Sequence, residues 1–92
     1  MYKIIRITDK NNVDKINDKD AMNRVGRVID DIQSNLAVGS NGFLYCTYPD
    51  FLKSMITSKI ERVSSNDDQL LIYTQNSIYY LKRVGKAIIE EK

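Results

Sequence analysis

The sequence contains no histidine and no tryptophan, and it has one cysteine and one proline among its 92 residues. Without histidine, catalytic arrangements built on an imidazole are excluded, and so are zinc sites that combine histidine with cysteine. A single cysteine excludes an intramolecular disulfide. We therefore expect no metal, no cofactor and no enzymatic turnover, and a function that rests on binding.

Long hydrophobic runs are absent as well. A membrane-spanning helix needs about 20 consecutive apolar residues, and no stretch of this chain approaches that length. Residues 1–7 lack the continuous apolar region and the small-residue cleavage site of a signal peptide. Cys46 lies in an apolar, aromatic run and is expected to be a buried thiol in a reducing compartment. The sequence therefore predicts a cytoplasmic protein that does not bind membranes.

Neither sign of charge is in large excess, since the chain has 14 Lys and Arg residues and 12 Asp and Glu residues, for a net charge of +2. This excess is too small to indicate a nucleic-acid partner by itself. Hydrophobic residues make up 42% of the chain and charged residues 28%, a mixture typical of globular domains. At this length we expect one small domain over residues 1–85, followed by a C-terminal tail over 86–92.

Motifs for catalysis or metal binding are missing among the remaining polar residues. The four glycines match neither a phosphate-binding loop nor a dinucleotide-binding fingerprint. Closely spaced aspartates occur as three pairs: Asp18/Asp20, Asp30/Asp31 and Asp67/Asp68. Carboxylates that bind a metal or transfer protons converge from separate elements, whereas these pairs lie in turns or on solvated surfaces. We expect them to be structural.

β-Branched and aromatic residues separated by polar turns predict five strands. The strands are predicted over 2–8, 43–48, 55–63, 70–74 and 77–84. Turn signals separate them, the clearest being the two glycines and the asparagine within 39–42. The predicted fold is mainly β, as a five-stranded antiparallel SH3-like barrel or a strongly bent sheet, because this is the simplest closure for short strands joined by short turns.

The chain before residue 39 is harder to interpret. Residues 9–20 are predicted to form a mobile loop, because two apolar residues are too few to offset the entropy of ordering it. Residues 20–36 carry apolar side chains at helical spacing, which predicts a helix capped by Asp20 and leaves α+β as the alternative fold class. Gly26 and several β-branched residues favour instead a short strand over 26–32 followed by a turn.

The last two strands are predicted to form a hairpin around Gln75-Asn76. A two-residue loop sets Thr74 opposite Ser77, and every other pair follows from that register. Four side chains then form the core face: Leu70, Ile72, Tyr79 and Leu81. The opposite face carries five: Leu71, Tyr73, Ile78, Tyr80 and Lys82. That face is too apolar for free solvent, yet its tyrosines and its lysine need polar contacts.

Three interpretations of this second face remain open. The 20–36 helix covers it, or a second copy of the chain covers it in a homo-oligomer, or another partner binds it. Tyrosine favours the last, because it supplies apolar area and a hydrogen-bonding group together. Tyr45 and Tyr48 are expected to extend the aromatic strip on a neighbouring strand. The candidate partner-binding residues are Tyr73, Ile78, Tyr80 and Lys82.

Residues 36–84 carry a spaced pattern: Leu36-x-Val38-Gly39-x-x-Gly42, then Thr57-Ser58-x-Ile60, then Thr74-x-Asn76-Ser77-x-Tyr79-x-Leu81. This half of the chain resembles small uncharacterised proteins of phages and prophages of low-GC Gram-positive bacteria. The composition, rich in Lys, Asn and Ile, agrees with an AT-rich genome. The resemblance assigns no activity to any residue. It implies a strand rather than a helix before the first glycine of the pattern, and a setting in which short proteins act by binding, for example as inhibitors of bacterial defence systems.

The sequence therefore predicts a non-enzymatic, phage-encoded binding protein that occludes a host protein or complex. The alternative is a small barrel that binds single-stranded RNA or DNA, with Tyr73, Tyr80 and Lys82 as a stacking platform beside other basic residues. A third hypothesis is a protein that sequesters a small nucleotide, since tyrosine and arginine suffice for base stacking and phosphate contact.

Overall fold

The computed structural model describes residues 1–85, and the predicted tail over 86–92 lies outside the described residues. In the described part, the helix α1 spans Lys19–Arg24 and a 3-10 helix spans Phe51–Lys53. The strands are β1 (Tyr2–Thr8), β2 (Val28–Ile29), β3 (Asn41–Leu44), β4 (Cys46–Tyr48), β5 (Met55–Asn66), β6 (Gln69–Thr74) and β7 (Ile78–Arg83).

All seven strands belong to one antiparallel sheet of order β3-β5-β6-β7-β1-β2-β4. The two edge strands, β3 and β4, are consecutive in the chain and are joined by Tyr45 alone, so the sheet curls until its edges approach each other. The result is a nearly closed, barrel-like sheet with a radius of gyration of 12.3 Å. The predicted mainly β fold is confirmed, with seven strands in place of five.

Tyr45 divides the predicted strand 43–48 into β3 and β4. Its backbone N–H donates to Ser34 Oγ at 2.8 Å, and its carbonyl oxygen accepts from the backbone N–H of Asp30 at 2.9 Å. Both main-chain groups are thus satisfied outside the sheet ladder by the turn that precedes β3. The chain passes from one edge of the sheet to the other at this residue.

The predicted helix over 20–36 is wrong in its length. α1 contains six residues, and Gly26 follows it with a φ of +97°. A residue with positive φ cannot continue a right-handed helix. The β-branched pair Val28-Ile29 then forms β2 and is buried in the sheet. The rival interpretation, a short strand within 26–32 followed by a turn, is the closer prediction.

The segment between β1 and α1 forms a series of hydrogen-bonded turns. The Asp9 carboxylate accepts two backbone N–H groups of this segment, at 2.8 and 3.0 Å. Asp18, rather than the predicted Asp20, caps α1 through its side chain, so the helix begins inside the range expected to be a loop. The mobility predicted for 9–20 stays a prediction.

A bulge in β1 determines which of its side chains face the core. The pairing with β7 shifts between Ile4 and Arg6, so Ile4 and Ile7 are both buried while Ile5 is 44% exposed. A regular strand would place Ile5 and Ile7 on one face, but the extra residue at the bulge moves every later side chain to the other face. The bulge also turns Arg6 toward solvent, opposite Tyr80 on β7.

The core fills the inside of the curled sheet, and Ala21 of α1 packs against it. Gly42 in β3 faces this core at a very close approach. A Cβ atom at that position would lie 2.7 Å from Thr57 Oγ1 and 2.8 Å from Ile60 Cδ1. Only glycine therefore allows β3 to lie this near to β5. The largest fully buried apolar side chains are Ile4, Ile7, Ile29, Leu44, Ile60, Ile72 and Leu81.

Candidate functional site

The hairpin of β6 and β7 has the register that the two-residue turn predicts. Ile72 lies opposite Tyr79, and Leu70 lies opposite Leu81. All four side chains belong to the core, and none is more than 5% exposed. The predicted core face is confirmed, and the second face of the hairpin therefore points outward.

We define the outer face of the hairpin by four residues: Leu71, Tyr73, Tyr80 and Lys82. Lys82 is exposed and the other three are half-buried. α1 does not cover this face, because the buried residue of the helix, Ala21, belongs to the core cluster on the inner side of the sheet. Of the three interpretations of the second face, coverage by the predicted helix is therefore wrong.

Three residues that the sequence assigned to this surface do not contribute to it. Ile78 lies between Tyr73 on β6 and Thr8 on β1 and is only 3% exposed, so it offers almost no contact area. Tyr45 and Tyr48 lie beside or within β4, which β1 and β2 separate from β7 in the sheet. They cannot extend the aromatic strip of the hairpin.

Tyr80 is held through both its ring and its hydroxyl. The Arg6 guanidinium lies over the ring, 4.9 Å from its centroid, and the hydroxyl donates to Asn12 Oδ1 at 2.6 Å. Arg6 in turn forms an ion pair with Asp14 and donates to the carbonyl oxygen of Asn12 at 3.1 Å. The hydrogen bond to Asp14 raises the pKa of Arg6 above its ordinary value, so the guanidinium stays charged. The turn segment after β1 therefore fixes the position of the Tyr80 ring.

Tyr73 has a similar arrangement on the other side of the hairpin. Arg62 of β5 lies directly opposite it, and the guanidinium carbon is 4.0 Å from the ring centroid. A cation over an aromatic ring at this distance is attracted by the negative charge of the ring face. An arginine from a neighbouring strand thus contacts the ring of each tyrosine of the outer face.

Lys82 faces another lysine across the sheet. Lys3 of β1 is its cross-strand neighbour, and both side chains are exposed. Neither forms an ion pair with any residue in the described range 1–85. Like charges directly opposite each other in a sheet destabilise it. The free protein therefore keeps two repelling cations side by side on this surface.

The charge of the outer face and its flanking strands is positive. Lys3, Arg6, Arg62 and Lys82 all lie there, and Asp14 is the carboxylate bound to one of them. The nearby Glu61 pairs instead with Lys10, a residue of the turn segment. Positive charge beside half-buried tyrosines suits contact with an anionic surface.

Sequence reasoning missed the two arginine–tyrosine pairs, although one of them had a signal. A two-residue turn at Asp67-Asp68 sets Arg62 opposite Tyr73 by simple counting, as the structure has it. The other pair had no signal, because the opposition of Arg6 and Tyr80 depends on the bulge in β1 and on pairing between the first and last strands.

Cys46 lies in the core, away from the outer face. Cys46 is fully buried, its thiol donates to the carbonyl oxygen of Tyr48 at 2.9 Å, and burial raises the pKa of the thiol. It is therefore a poor nucleophile. Among residues 1–85, no cluster of three or more Cys, Asp or Glu side chains is placed to hold a metal ion. No helix in that range is long and apolar enough to cross a membrane.

Comparison with known proteins adds no functional information. Neither protein-family models, nor curated proteins, nor solved structures give a match to this chain. The geometry and the charge of the outer face are therefore the observations that bear on function.

Proposed function

We propose that this protein is a non-enzymatic binding protein that occludes an acidic surface of a host protein or complex, with the outer face of the hairpin as its contact surface. The observation that carries the proposal is the opposition of Lys3 and Lys82, which repel each other in the free protein. An acidic surface placed over both lysines neutralises them together. Binding then relieves a repulsion as well as forming new contacts.

The two tyrosines supply the apolar part of this interface. Tyr73 and Tyr80 are half-buried, and each ring lies beneath an arginine. Tyrosine and arginine are enriched among the residues that contribute most to binding at protein interfaces. Because these rings are already held in place, little of their side-chain entropy is lost when a partner binds.

The stacked arginines favour a protein partner over nucleic-acid bases. At 4.0 Å from the Tyr73 centroid, the Arg62 guanidinium is in van der Waals contact with the ring. A base that stacks on this ring face has to displace the guanidinium first. A protein carboxylate instead binds the outward edge of the guanidinium without moving it.

The setting we propose is a phage-infected bacterial cell. The resemblance of residues 36–84 to small phage and prophage proteins supports an action on a host protein in the cytoplasm, for example on a component of a defence system. The lack of histidine agrees with an action by occlusion rather than by catalysis.

A second candidate function is binding of single-stranded RNA or DNA. The observation that favours it is the placement of two tyrosines on neighbouring strands of a barrel-like sheet, with cations on both sides. Small barrels bind single strands through such platforms, with bases on aromatic rings or guanidinium planes and phosphates on lysines.

A capture experiment with matched charge reversals tests the proposal. A photoreactive amino acid replaces Ser64, an exposed residue paired with Leu71 of the outer face, and the full-length bait is irradiated in host extract. We expect an acidic host protein to crosslink to the bait. The crosslink should disappear with Arg62→Glu and persist with Lys53→Glu, the same charge change on the exposed 3-10 helix. A crosslink that survives Arg62→Glu contradicts the proposed surface.

Salt dependence then separates the two candidate functions. The purified protein is titrated with the captured protein and with a mixed-sequence single-stranded oligonucleotide at about 50 and 200 mM salt. Tight oligonucleotide binding that weakens by orders of magnitude over this range, without a protein crosslink, favours the nucleic-acid function. Protein binding that weakens only modestly supports occlusion, because part of that interface is apolar.

A further inference from the structure

A cleft at one end of the barrel contains none of the residues of the outer face. It lies between α1, the residues just before it, β5 and the turn of the hairpin, and its volume is about 270 Å³. Most of the groups that line it are polar, and they include Lys15, Arg24, Ser58, Ser77 and Tyr79. Three of these belong to the spaced sequence pattern noted above, which the outer face did not explain.

Two cations in the cleft are bound to hydroxyl oxygens rather than to carboxylates. Lys15 Nζ donates to Ser77 Oγ at 2.7 Å, and Arg24 Nη1 donates to the Tyr79 hydroxyl at 2.6 Å. Within residues 1–85 neither cation forms an ion pair, in contrast to Lys10, which pairs with Glu61. Both cations therefore keep N–H groups for a further acceptor.

The hydroxyls of the cleft also have unused donors. Ser77 is 7% exposed and Tyr79 is 4% exposed, yet each hydroxyl oxygen accepts from a cation and donates to no atom of the described residues. Ser58 Oγ accepts from the backbone N–H of Asn76 at 3.2 Å and also has no acceptor for its proton in that range. Because these hydroxyls line an open cleft, their protons remain available to an acceptor that enters it.

Two aspartates at the cleft limit the charge that it can hold. Asp18 lines the cleft, but its carboxylate caps α1 by accepting from Ala21 N at 3.1 Å. Asp20 is exposed at the same edge. The two carboxylates balance the two cations in formal charge, so the cleft has no excess positive charge to attract a polyanion such as a nucleic-acid strand.

We infer that this cleft binds the phosphate group of a small phosphate monoester. Lys15 and Arg24 donate charge-assisted hydrogen bonds to the phosphate oxygens, and the hydroxyls of Ser58, Ser77 and Tyr79 donate further hydrogen bonds to them. A phosphate group accepts more hydrogen bonds than a carboxylate does, which matches three hydroxyls and two cations. The volume exceeds that of a phosphate ion alone, so the cleft also has room for the organic part of the ester.

The binding test compares three probes on the full-length, 15N-labelled protein. Inorganic phosphate, uridine 5′-monophosphate and uridine are titrated to about 10 mM, where a site with several charge-assisted hydrogen bonds should be filled. We expect both phosphates to shift the amide signals of Asn76 and Ser77, and uridine to leave them unchanged. A tighter fit for the monophosphate identifies an ester as the ligand, and equal affinity identifies free phosphate. Binding of uridine as tight as that of its monophosphate, or no phosphate shift at these amides, overturns the inference.

Three variants of cleft residues test the site independently, so that one variant that fails to fold does not decide the result. Lys15→Gln and Arg24→Gln should weaken phosphate binding at least about tenfold, because each removes a charged donor. Tyr79→Phe keeps the buried ring and removes only the hydroxyl, and it should weaken binding severalfold. Lys10→Gln, an exposed cation outside the cleft, serves as the control and should bind as the wild type does. Wild-type affinity in the folded cleft variants contradicts the site.

Discussion

Tyr79 and Tyr80 are consecutive in β7 and lie on opposite faces of the sheet. The Tyr79 ring is 4% exposed and packs in the core, and its hydroxyl accepts from Arg24. The Tyr80 ring is half-buried beneath Arg6, and its hydroxyl donates to Asn12. Each hydroxyl has a hydrogen-bond partner, so the two faces differ chiefly in what surrounds the rings. Apolar side chains surround the inner ring and stabilise the fold, whereas a guanidinium and water surround the outer ring and leave area for a partner.

The largest loss of stability should come from truncating a side chain on the inner face of the hairpin. Ile72→Ala removes a fully buried side chain from the centre of the core and should lower the free energy of unfolding by about 2–5 kcal/mol. For a domain of this size such a loss approaches the total stability. Leu71→Ala, its half-buried neighbour on the outer face, should lower the free energy of unfolding by about 1 kcal/mol. Urea denaturation of both variants measures the contrast, and equal losses would show that the two faces are packed alike.

Tyr80→Ala should affect binding more than folding. The loss of an interface anchor should weaken binding to the captured host protein about thirtyfold, or about 2 kcal/mol. The free energy of unfolding should fall by about 1 kcal/mol, because the contact with Arg6 and the hydrogen bond to Asn12 are lost. Isothermal titration and thermal melting measure the two effects. A melting temperature lowered by more than about 10 °C would place Tyr80 in the core instead.

Arg62→Ala tests whether the guanidinium holds the Tyr73 ring. We expect a loss of about 0.5–1 kcal/mol in the free energy of unfolding, the usual range for a cation over an exposed aromatic ring. Arg62→Lys keeps the charge and loses the planar group, so it should recover only part of this loss. Chemical denaturation at low salt resolves the three proteins. An Arg62→Ala variant as stable as the wild type would mean that Tyr73 is ordered by its strand alone.

Lys82→Glu should have the smallest effect on folding, and one of opposite sign. The substitution places a carboxylate opposite Lys3 and should raise the free energy of unfolding by a few tenths of a kcal/mol. The gain should vanish near 1 M salt because exposed charges are screened there. The same variant should bind the acidic host protein more weakly. A destabilised Lys82→Glu variant would show that the two lysines do not repel each other in the free protein.

Local contacts explain how much of this molecule was predictable. The pairs of the C-terminal hairpin follow from one two-residue turn at Gln75-Asn76, and they are confirmed along both strands. The burial of its core face follows from the same register, because side chains alternate along a strand. The outward direction of Tyr73 and Tyr80 was therefore available from the sequence alone.

Contacts between distant residues explain what could not be predicted. Tyr45 interrupts a strand because Ser34 and Asp30 bind its main chain, and no property of residues 43–48 indicates this. The candidate site was incomplete for the same reason, since the place of Arg6 depends on a bulge that appears only when β1 pairs with β7. The helical periodicity over 20–36 is a local pattern, and the burial of Val28 and Ile29 in the sheet outweighs it.

The pairing of β1 with β7 also constrains how fast this chain reaches its native state. Tyr2 and Arg83 are neighbours in the sheet although 81 positions separate them, and their side chains share a hydrogen bond at 2.8 Å. Contacts of such long sequence separation require a large loop to close before any stabilising contact repays its entropy. We therefore expect folding on the millisecond-to-second timescale that is typical of β-barrels. During synthesis, β1 gains its longest ladder of partners only after β7 has been made, so its backbone groups on that side stay unpaired until then.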